Sequence, residues 1–407
     1  MNEAGGDLTE REITLRTVLA PRRAIDPALT PEVLERHVFE RGFPLSDAEQ
    51  TTFAFRGSAE AVRLVHFGIG LPEDLSFERV GDSDWWLLAL ELPEGSRIEY
   101  QLEVTEPGGH RYVTGDPLNP IEVTNPFGKN SVCRSHGYDV PPWALHDHDA
   151  ETGSRRSLLV ESEALGRAVP VTLYLPASFR PAPEHRYPLV VLHDGTDYLN
   201  HAAATTVLDN LIHRGLVPEL VVAFCDPGDR LVEYADDERH ARFVVDERVP
   251  HLESHLPLIG GRDARCLGGA SFGAVATRST ARRHPEAFGR LLLQSGSFAT
   301  ASGSFNEPPD PLWDPVVEFV GGVLADPTPV ADRVFMTCGV FEPMITENRA
   351  FHPVLKGTGM QVVFGEALDG HTWGCWRDLL GVALPWLFSD TFRARAPRPF
   401  ERPASPD

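Results

Sequence analysis

One serine of the chain lies in the pentapeptide Gly269-Ala270-Ser271-Phe272-Gly273, between two glycines. The residues before it, Ala264 to Leu267, have the character of a short strand, and those from Ala274 to His284 are typical of a helix. A Gly-x-Ser-x-Gly sequence in this setting forms a sharp turn that lifts the serine hydroxyl off the sheet. The start of the following helix supplies a backbone amide and a positive dipole end. The pattern therefore predicts that Ser271 is a nucleophile.

A serine hydroxyl reacts efficiently only when a base accepts its proton, and a carboxylate must orient that base. A buried strand is predicted over residues 333–338, and Glu342 follows its carboxyl end. A second strand is predicted over 361–364, and it leads to His371. Because carboxyl ends of parallel strands meet at one sheet edge, the sequence predicts a triad of Ser271, Glu342 and His371.

The identity of the acid is left open by spacing alone. Asp369 and Glu366 lie close to His371 in the sequence, and either carboxylate is an alternative to Glu342. Glu342 is preferred because it follows a strand end, in the order nucleophile, acid, histidine.

Stabilisation of a transition-state oxyanion needs two backbone amides beside the nucleophile. An apolar strand over residues 187–192 runs into His193 and then into a turn made of Asp194, Gly195 and Thr196. We expect one donor to be the amide of Phe272 and the other to come from this turn. Such a donor lowers the barrier by about 3 kcal/mol. His193 is interpreted as a packed, hydrogen-bonded residue, since a histidine that closes a strand is more often structural than catalytic.

Further short motifs extend over both halves of the chain. They are Ser83-Asp84-Trp85-Trp86, Arg97-Ile98-Glu99-Tyr100, Asp116-Pro117-Leu118-Asn119-Pro120, Asn125-Pro126-Phe127-Gly128, Leu208-Asp209-Asn210-Leu211, Asp229-Arg230 with Glu233-Tyr234, Gln294-Ser295-Gly296-Ser297-Phe298, and Gly370-His371-Thr372-Trp373. With the serine pentapeptide, these motifs make residues from about Phe53 to Phe388 resemble the bacterial enterochelin (enterobactin) esterase family. The catalytic half of that family belongs to the esterase D-like α/β hydrolases.

The resemblance implies hydrolysis of ester bonds in trilactone siderophores, with a serine nucleophile, a histidine base, and an acid that is variable or absent. Two residues depart from the family's pattern, Ala274 where a second glycine is frequent and Thr372 where an aspartate commonly follows the histidine. Neither change removes a catalytic group, and both predict a divergent substrate.

The predicted fold class is α/β. Short alternating strands between Thr51 and Val104 indicate an immunoglobulin-like β-sandwich, and strands that alternate with helices from Leu158 onward indicate a doubly wound, mostly parallel α/β-hydrolase sheet. We therefore predict a lead-in and β-sandwich domain over 1–145, a linker over 146–157, a catalytic domain over 158–392 and a disordered tail over 393–407.

Composition limits the class of protein. The chain has 407 residues and a net charge of −22 at pH 7, which disfavours binding to nucleic acid or to anionic membranes. There is no signal-like start and no apolar run of about 18 residues, so a cytoplasmic location is expected. The five cysteines are scattered without metal spacing, so we expect neither disulfides nor a metal, and no cofactor. The expected partner is a small-molecule ester, and the oligomeric state is not indicated.

Three residues are candidates for substrate binding. Arg230 follows a predicted strand at the same sheet edge as the nucleophile and offers a planar cation, although a structural pair with Glu233 or Glu247 is the alternative. Trp313 and Trp373 are candidates to contact a flat acyl or aryl group.

Two other functions use the same sequence features. An acyltransferase would pass the acyl group to an alcohol or an amine instead of water, with the same triad. A non-catalytic carbohydrate-binding or scaffold protein would need a vestigial triad, which an intact Ser271 and His371 disfavour.

Overall fold

The computed structural model describes residues 19–182, 184–306 and 310–389. The tail predicted to be disordered, 393–407, lies outside these residues. The chain divides into two compact units. The first unit contains the described residues up to Asp139 together with Cys338–Thr346 and Glu366–Cys375, and the second contains Val140–Thr337, Glu347–Gly365 and the described residues from Trp376 onward. The domain boundaries predicted from the sequence stay a prediction.

Antiparallel strands build the first unit, after a helix, α1, at Pro31–Glu40. One sheet has the order β1-β2-β5-β4, and the other has the order β3-β6-β9-β8 with β7 also paired to β6. The strands are β1 Leu45–Ser46, β2 Thr51–Arg56, β3 Ala61–Val65, β4 Glu78–Arg79, β5 Trp85–Leu90, β6 Arg97–Thr105, β7 Arg111–Thr114, β8 Glu122–Asn125 and β9 Gly128–Arg134. The structure thus confirms the strands predicted near 52–55, 61–67, 85–90 and 98–104.

The core of this unit follows from residue alternation in β6. Tyr100, Leu102 and Val104 are buried while the residues between them are partly exposed, as expected for a strand with one face on a core. Phe53 packs its ring edge-on against Tyr100, with ring centroids 5.0 Å apart. Phe341, from the loop after the strand that ends at Gly339, belongs to the same buried cluster.

An eight-stranded sheet contains the strands of the rest of the chain, in the order β10-β11-β13-β12-β14-β15-β16-β17. The pairings β10–β11 and β11–β13 are antiparallel, and those from β13 through β12, β14 and β15 to β16 are parallel. The strands are β10 Ser154–Ser162, β11 Arg167–Leu175, β12 Leu189–His193, β13 Val221–Cys225, β14 Arg265–Ala270, β15 Arg290–Gln294, β16 Arg333–Gly339 and β17 Gln361–Ala367. β10 begins inside the range predicted as a linker.

From β12 onward, helices connect the successive strands of this sheet. Every residue of β12, β13 and β15 is buried, as expected for parallel strands covered on both faces. The helices are α2 Gly195–His201, α3 Ala204–His213, α4 Arg230–Glu233, α5 Glu238–Arg242, α6 Val249–His255, α7 Phe272–Arg283, α8 Asp314–Ala325, α9 Ile345–Gly357 and α10 Trp373–Leu387. No helix in the described part of the chain has the length and apolar character needed to cross a bilayer.

Candidate active site

Ser271 stands alone between β14, which ends at Ala270, and α7, which begins at Phe272. Its backbone has φ 58° and ψ −120°, a conformation that costs a non-glycine residue about 1–3 kcal/mol. The Ser271 amide donates to the carbonyl of Gln294 at 2.9 Å, which ties the strained turn to the neighbouring strand β15. The strand-to-helix turn predicted from the pentapeptide is therefore present, and the serine is held in a strained conformation.

The glycines on either side of Ser271 are required by close backbone approach. A Cβ atom on Gly269 would lie 2.7 Å from the backbone carbonyl of Gly273. A Cβ atom on Gly273 would lie 3.2 Å from both the Asp194 carboxylate and the Cβ of His193. The start of α7 can thus approach β12 and β14 closely only because side chains are absent at these two positions.

Ser297 is a site residue that the sequence analysis did not single out. Its hydroxyl lies 3.0 Å from Oγ of Ser271, and its amide donates to the Ser271 carbonyl at 3.2 Å. Both serine side chains are buried. Ser297 therefore fixes the position of the Ser271 hydroxyl, and the only signal for it was its place in the Gln294–Phe298 motif.

The turn after β12 was predicted to supply an oxyanion donor from Asp194, Gly195 or Thr196. The amide of Asp194, which has φ 53°, donates to the Tyr234 hydroxyl at 3.1 Å, and the amide of Thr196 donates to Asp226 Oδ1 at 2.9 Å. Neither amide is free to bind an oxyanion. For the Gly195 amide, the described residues provide no acceptor, so it is the donor that this turn leaves available.

Glycine is necessary at position 195, since a Cβ atom there would lie 2.4 Å from the amide nitrogen of Cys225. The other predicted donor is the amide of Phe272, the first residue of α7. Nothing within the described ranges accepts a hydrogen bond from this amide either, as expected for the first turn of a helix. Two amides of the second unit are thus available for an anion.

Arg230 begins α4 and makes a two-pronged ion pair with Asp194. Its Nε donates to Oδ1 at 2.9 Å and its Nη2 donates to Oδ2 at 2.8 Å. The guanidinium also lies over the ring of Phe272, 5.6 Å from the centroid. Arg230 therefore contacts Phe272, which carries one of the available amides, and Asp194, which precedes the Gly195 amide.

The structural pair considered for Arg230 from the sequence, with Glu233 or Glu247, is wrong. Glu233 accepts from Arg167 at 2.8 Å, and Glu247 accepts from the Ser162 hydroxyl at 2.5 Å. Sequence proximity favoured these carboxylates, whereas Asp194 comes to Arg230 from another strand end.

His193 is confirmed as a packed, hydrogen-bonded residue. Its Nδ1 lies 3.1 Å from the carbonyl of Gly268, and its Nε2 lies 3.0 Å from Nε2 of His240. Burial lowers the pKa of His193 well below its ordinary value, so the ring is neutral at pH 7.

Glu342 and His371 meet within the first unit. Nδ1 of His371 is paired with Oε2 of Glu342, while the amide of Gly339, at the end of β16, donates to Oε1. The Glu342 side chain is fully buried, and that of His371 is 14% exposed. When Nδ1 carries the proton and donates a hydrogen bond to the carboxylate, Nε2 has the lone pair that a general base needs.

Asp369, the alternative acid, has other partners. Its carboxylate accepts from Nη1 of Arg97 at 3.1 Å and from the Thr372 hydroxyl at 3.1 Å. Arg97 is a residue whose place near the histidine the sequence did not predict. Glu342 is therefore the carboxylate on the imidazole, and Asp369 belongs to a separate ion pair.

The two tryptophans have different surroundings. The ring of Trp313 lies 4.9 Å from that of Phe272 and 5.3 Å from that of Phe305, next to the turn that carries Ser271. Trp373 is 9% exposed at the start of α10 and is thus largely a packing residue.

The cysteines and the candidate metal ligands are the remaining reactive side chains. All five cysteines lie among the described residues as buried thiols, and burial raises the pKa of Cys266 to about 12. Across the described ranges, no group of three or more His, Cys, Asp or Glu side chains is arranged to hold a metal ion.

Comparison with known proteins identifies the family. The model of the Esterase family matches residues 162–387. The Iron(III) enterobactin esterase of Escherichia coli O6:H1 is 23% identical over 350 residues, which cover 79% of this chain and 84% of that protein. The Iron(III) salmochelin esterase of the same strain is 26% identical over 336 residues, with 74% and 78% covered.

Solved structures share the fold. The enterobactin esterase from Shigella flexneri, crystallised in the presence of enterobactin, superposes with a TM-score of 0.69 at 21% identity, over 89% of this chain and 99% of that one. A ferulic acid esterase superposes with a TM-score of 0.52 at 21% identity, over 59% of this chain and 99% of that one. The resemblance to enterochelin esterases is thereby confirmed. The chain belongs to the Esterase family and is a carboxylic-ester hydrolase.

Proposed function

We propose that the protein is a serine esterase that works through an acyl-enzyme, with Ser271 as nucleophile, His371 as base and Glu342 as the acid. The observation that carries the proposal is the strained backbone of Ser271 at the end of β14. The buried pairing of His371 with Glu342 supports it, since that pairing leaves Nε2 as a base. The three residues follow β14, β16 and β17, which are strands of one sheet.

The chemistry proceeds in two proton-balanced halves. Nε2 of His371 takes the proton of Ser271 Oγ as that oxygen forms a bond to the ester carbonyl carbon. The imidazolium then gives the proton to the departing alcohol oxygen as the carbon–oxygen bond breaks. Water repeats the sequence on the acyl-enzyme, releasing the acid and restoring Ser271. The Glu342 carboxylate stabilises the imidazolium in both halves.

The carbonyl oxygen becomes negative in each tetrahedral intermediate. We assign its stabilisation to the amides of Phe272 and Gly195, each worth about 3 kcal/mol of barrier. The ion pair of Arg230 with Asp194 supports this role, because it fixes the left-handed residue that precedes Gly195. The Ser297 hydroxyl keeps Ser271 Oγ in one position before the attack.

The proposed substrate is an anionic or aromatic ester of siderophore-like or other macrocyclic type. Support comes from the relatives, whose names state iron(III) enterobactin and iron(III) salmochelin as their substrates. The Arg230 side chain is 38% exposed, so it can also meet a ligand anion. Trp313 offers an aromatic face beside Phe272, whereas the burial of Trp373 limits its contact with substrate.

The architecture of the first unit is part of the proposal. One buried cluster joins side chains of both antiparallel sheets, for example Phe53 of β2 with Leu64 of β3 and Tyr100 of β6. Two sheets that share a core support an immunoglobulin-like β-sandwich within residues 1–145, before a catalytic domain over 158–392. Buried cysteine thiols support a cytoplasmic location.

The experiment that tests the proposed function is hydrolysis of a panel of linear and macrocyclic esters, with products identified by mass spectrometry. Ser271→Ala is the test variant, and Ser254→Ala, which changes an exposed serine on α6, is the matched control. We expect at least about a 10³-fold loss of turnover in Ser271→Ala and none in the control. Turnover of Ser271→Ala within about tenfold of the parent overturns the proposal.

A further inference from the structure

A buried arginine of the β-sandwich strands reaches the segment that carries the histidine. Arg97, the first residue of β6, is 2% exposed. Its Nη1 donates to Asp369 Oδ2 at 3.1 Å and to Thr372 Oγ1 at 3.0 Å. These two partners lie on either side of His371 in the sequence, and 272 residues separate Arg97 from Asp369.

The charge of Arg97 is fully compensated in this buried place. Nη2 donates to Oε1 of Glu99 at 2.8 Å, and Nη1 serves Asp369. Burial by itself lowers the pKa of Arg97, but the carboxylates of Asp369 and Glu99 outweigh burial and raise it. Removing one member of such a buried pair is costly, because the other charge stays buried without a partner.

The main chain reinforces the same connection. The amide of Arg97 donates to the carbonyl of Leu368 at 2.8 Å, and the amide of Phe341 donates to the carbonyl of Asp369 at 3.1 Å. The segment before His371 is thus attached both to β6 and to the loop of Glu342.

Gly374, in the first turn of α10, makes room for the guanidinium. A Cβ atom on Gly374 would lie 2.3 Å from Cζ of Arg97. Alanine at this position would favour the helix by about 1 kcal/mol over glycine. The glycine is therefore explained by the space that the Arg97 guanidinium needs, and not by helix stability. The fork of Arg97 therefore lies directly on the helix start that follows His371.

We infer that Arg97 is a positioning residue for His371. Through Arg97, the β-sandwich strand β6 contributes to the rate of ester hydrolysis. This inference rests on the proposed function. Arg97 fixes Asp369 and Thr372, and these fix the main chain of His371 so that Nδ1 stays on Glu342. Because a displacement of about 1 Å in a reacting group costs about 10²-fold in rate, loss of this attachment lowers turnover without removing any reacting atom.

The direct test compares Arg97→Lys and Arg97→Met with the parent, using p-nitrophenyl acetate as the ester. We expect kcat to fall by about 10- to 100-fold while KM stays within about twofold, since the buried Arg97 side chain is paired with Asp369 and Glu99 and is not exposed to a ligand. Arg56→Met is the control, since Arg56 pairs with Asp84 and Glu35 on the exposed face of β2. A folded Arg97→Met with parental kcat overturns the inference, as does a parallel loss of folding and activity in both Arg97 variants.

If Arg97→Met does not fold, substitutions at Gly374 and Thr372, which leave Arg97 in place, test the same inference. Gly374→Ala retains every charged group and displaces only the guanidinium, so we expect a several-fold lower kcat with a smaller fall in melting temperature than in Arg97→Met. Thr372→Val removes the hydroxyl, and Thr372→Ser restores it, so we expect the serine variant to recover the kcat that the valine variant loses. Equal kcat in the valine and serine variants, together with parental kcat in Gly374→Ala, contradicts the inference.

His371→Ala separates the two levels of argument. If this variant keeps parental activity, the proposed function itself fails. If it is inactive while the Arg97, Gly374 and Thr372 variants are all unaffected, only the positioning role of Arg97 fails.

Discussion

Glu342→Gln is the perturbation whose effect follows most directly from the geometry. Both carboxylate oxygens of Glu342 accept hydrogen bonds, one from the Gly339 amide and one from His371 Nδ1. A glutamine offers a single acceptor oxygen. If that oxygen faces Gly339, the amide NH2 faces the imidazole, which must then carry its proton on Nε2 and cannot act as base. If the glutamine oxygen instead faces His371, the NH2 group faces the Gly339 amide, so that two donors meet and the Gly339 amide has no acceptor.

The magnitude differs between these two outcomes. The wrong imidazole tautomer and the lost stabilisation of the imidazolium together cost about 10³- to 10⁴-fold in kcat, or about 4–5.5 kcal/mol. The opposed Gly339 amide instead costs about 1–3 kcal/mol of stability, because a buried donor is left without an acceptor. We expect the kinetic loss to dominate with KM nearly unchanged, since the imidazolium forms only during turnover.

The assay is steady-state hydrolysis of p-nitrophenyl acetate, with thermal melting to confirm folding. Asp369→Asn is the comparison variant, because Asp369 pairs with Arg97 and not with the imidazole. We expect its kcat to fall by about tenfold at most, as befits a group that acts through the main chain. A larger loss in Asp369→Asn than in Glu342→Gln refutes the reasoning and transfers the acid role to Asp369. Small effects from both indicate a Ser-His dyad.

Three further predictions concern Ser297, Arg230 and Glu233. Ser297→Ala removes the hydroxyl 3.0 Å from Ser271 Oγ, so kcat falls by about tenfold with no change in melting temperature, as steady-state kinetics will show. Arg230→Lys cannot reproduce the fork on Asp194, so kcat for p-nitrophenyl acetate falls by about tenfold; an unchanged value places Arg230 outside the oxyanion support. Although burial alone would raise the pKa of Glu233, the nearby His240 imidazole and the hydrogen bonds from Arg167 lower it from 4.5 to about 2. The stability that Glu233 contributes is therefore present above pH 4.5 and lost as the pH falls towards 2, by about 1–2 kcal/mol after solvent screening. Denaturant unfolding of Glu233→Gln should show a shallower loss of stability over that range.

The turn that carries Ser271 could be predicted because its determinants are local. A strand, two glycines and a helix within one stretch specify the conformation of Ser271, and the structure has that turn with β14 continuing to Ala270. The buried strands after Leu189 were likewise visible as apolar runs. No strand was predicted at β10. Its first residues, Ser154 to Ser157, are polar and exposed, as an outer antiparallel strand allows.

The partner of a site residue could be predicted from the sequence only where the order of nucleophile, acid and histidine along the chain indicates it. Asp369 is nearer to His371 in the sequence than Glu342 is, yet it is held by Arg97 from β6. Likewise, Arg230 has Glu233 within one turn, but its partner is Asp194 on another strand end. These choices depend on which side chains the folded sheets bring together, and a single sequence contains no signal for that.

The central claim is that Ser271 is the nucleophile of an esterase whose base is His371. The most direct measurement is reaction of the purified protein with a fluorophosphonate, followed by peptide mapping in the mass spectrometer. The account predicts a single modified residue, Ser271, with labelling at least about 10²-fold slower in His371→Ala. Modification of another serine, or parental esterase activity in protein that is fully labelled at Ser271, would contradict it.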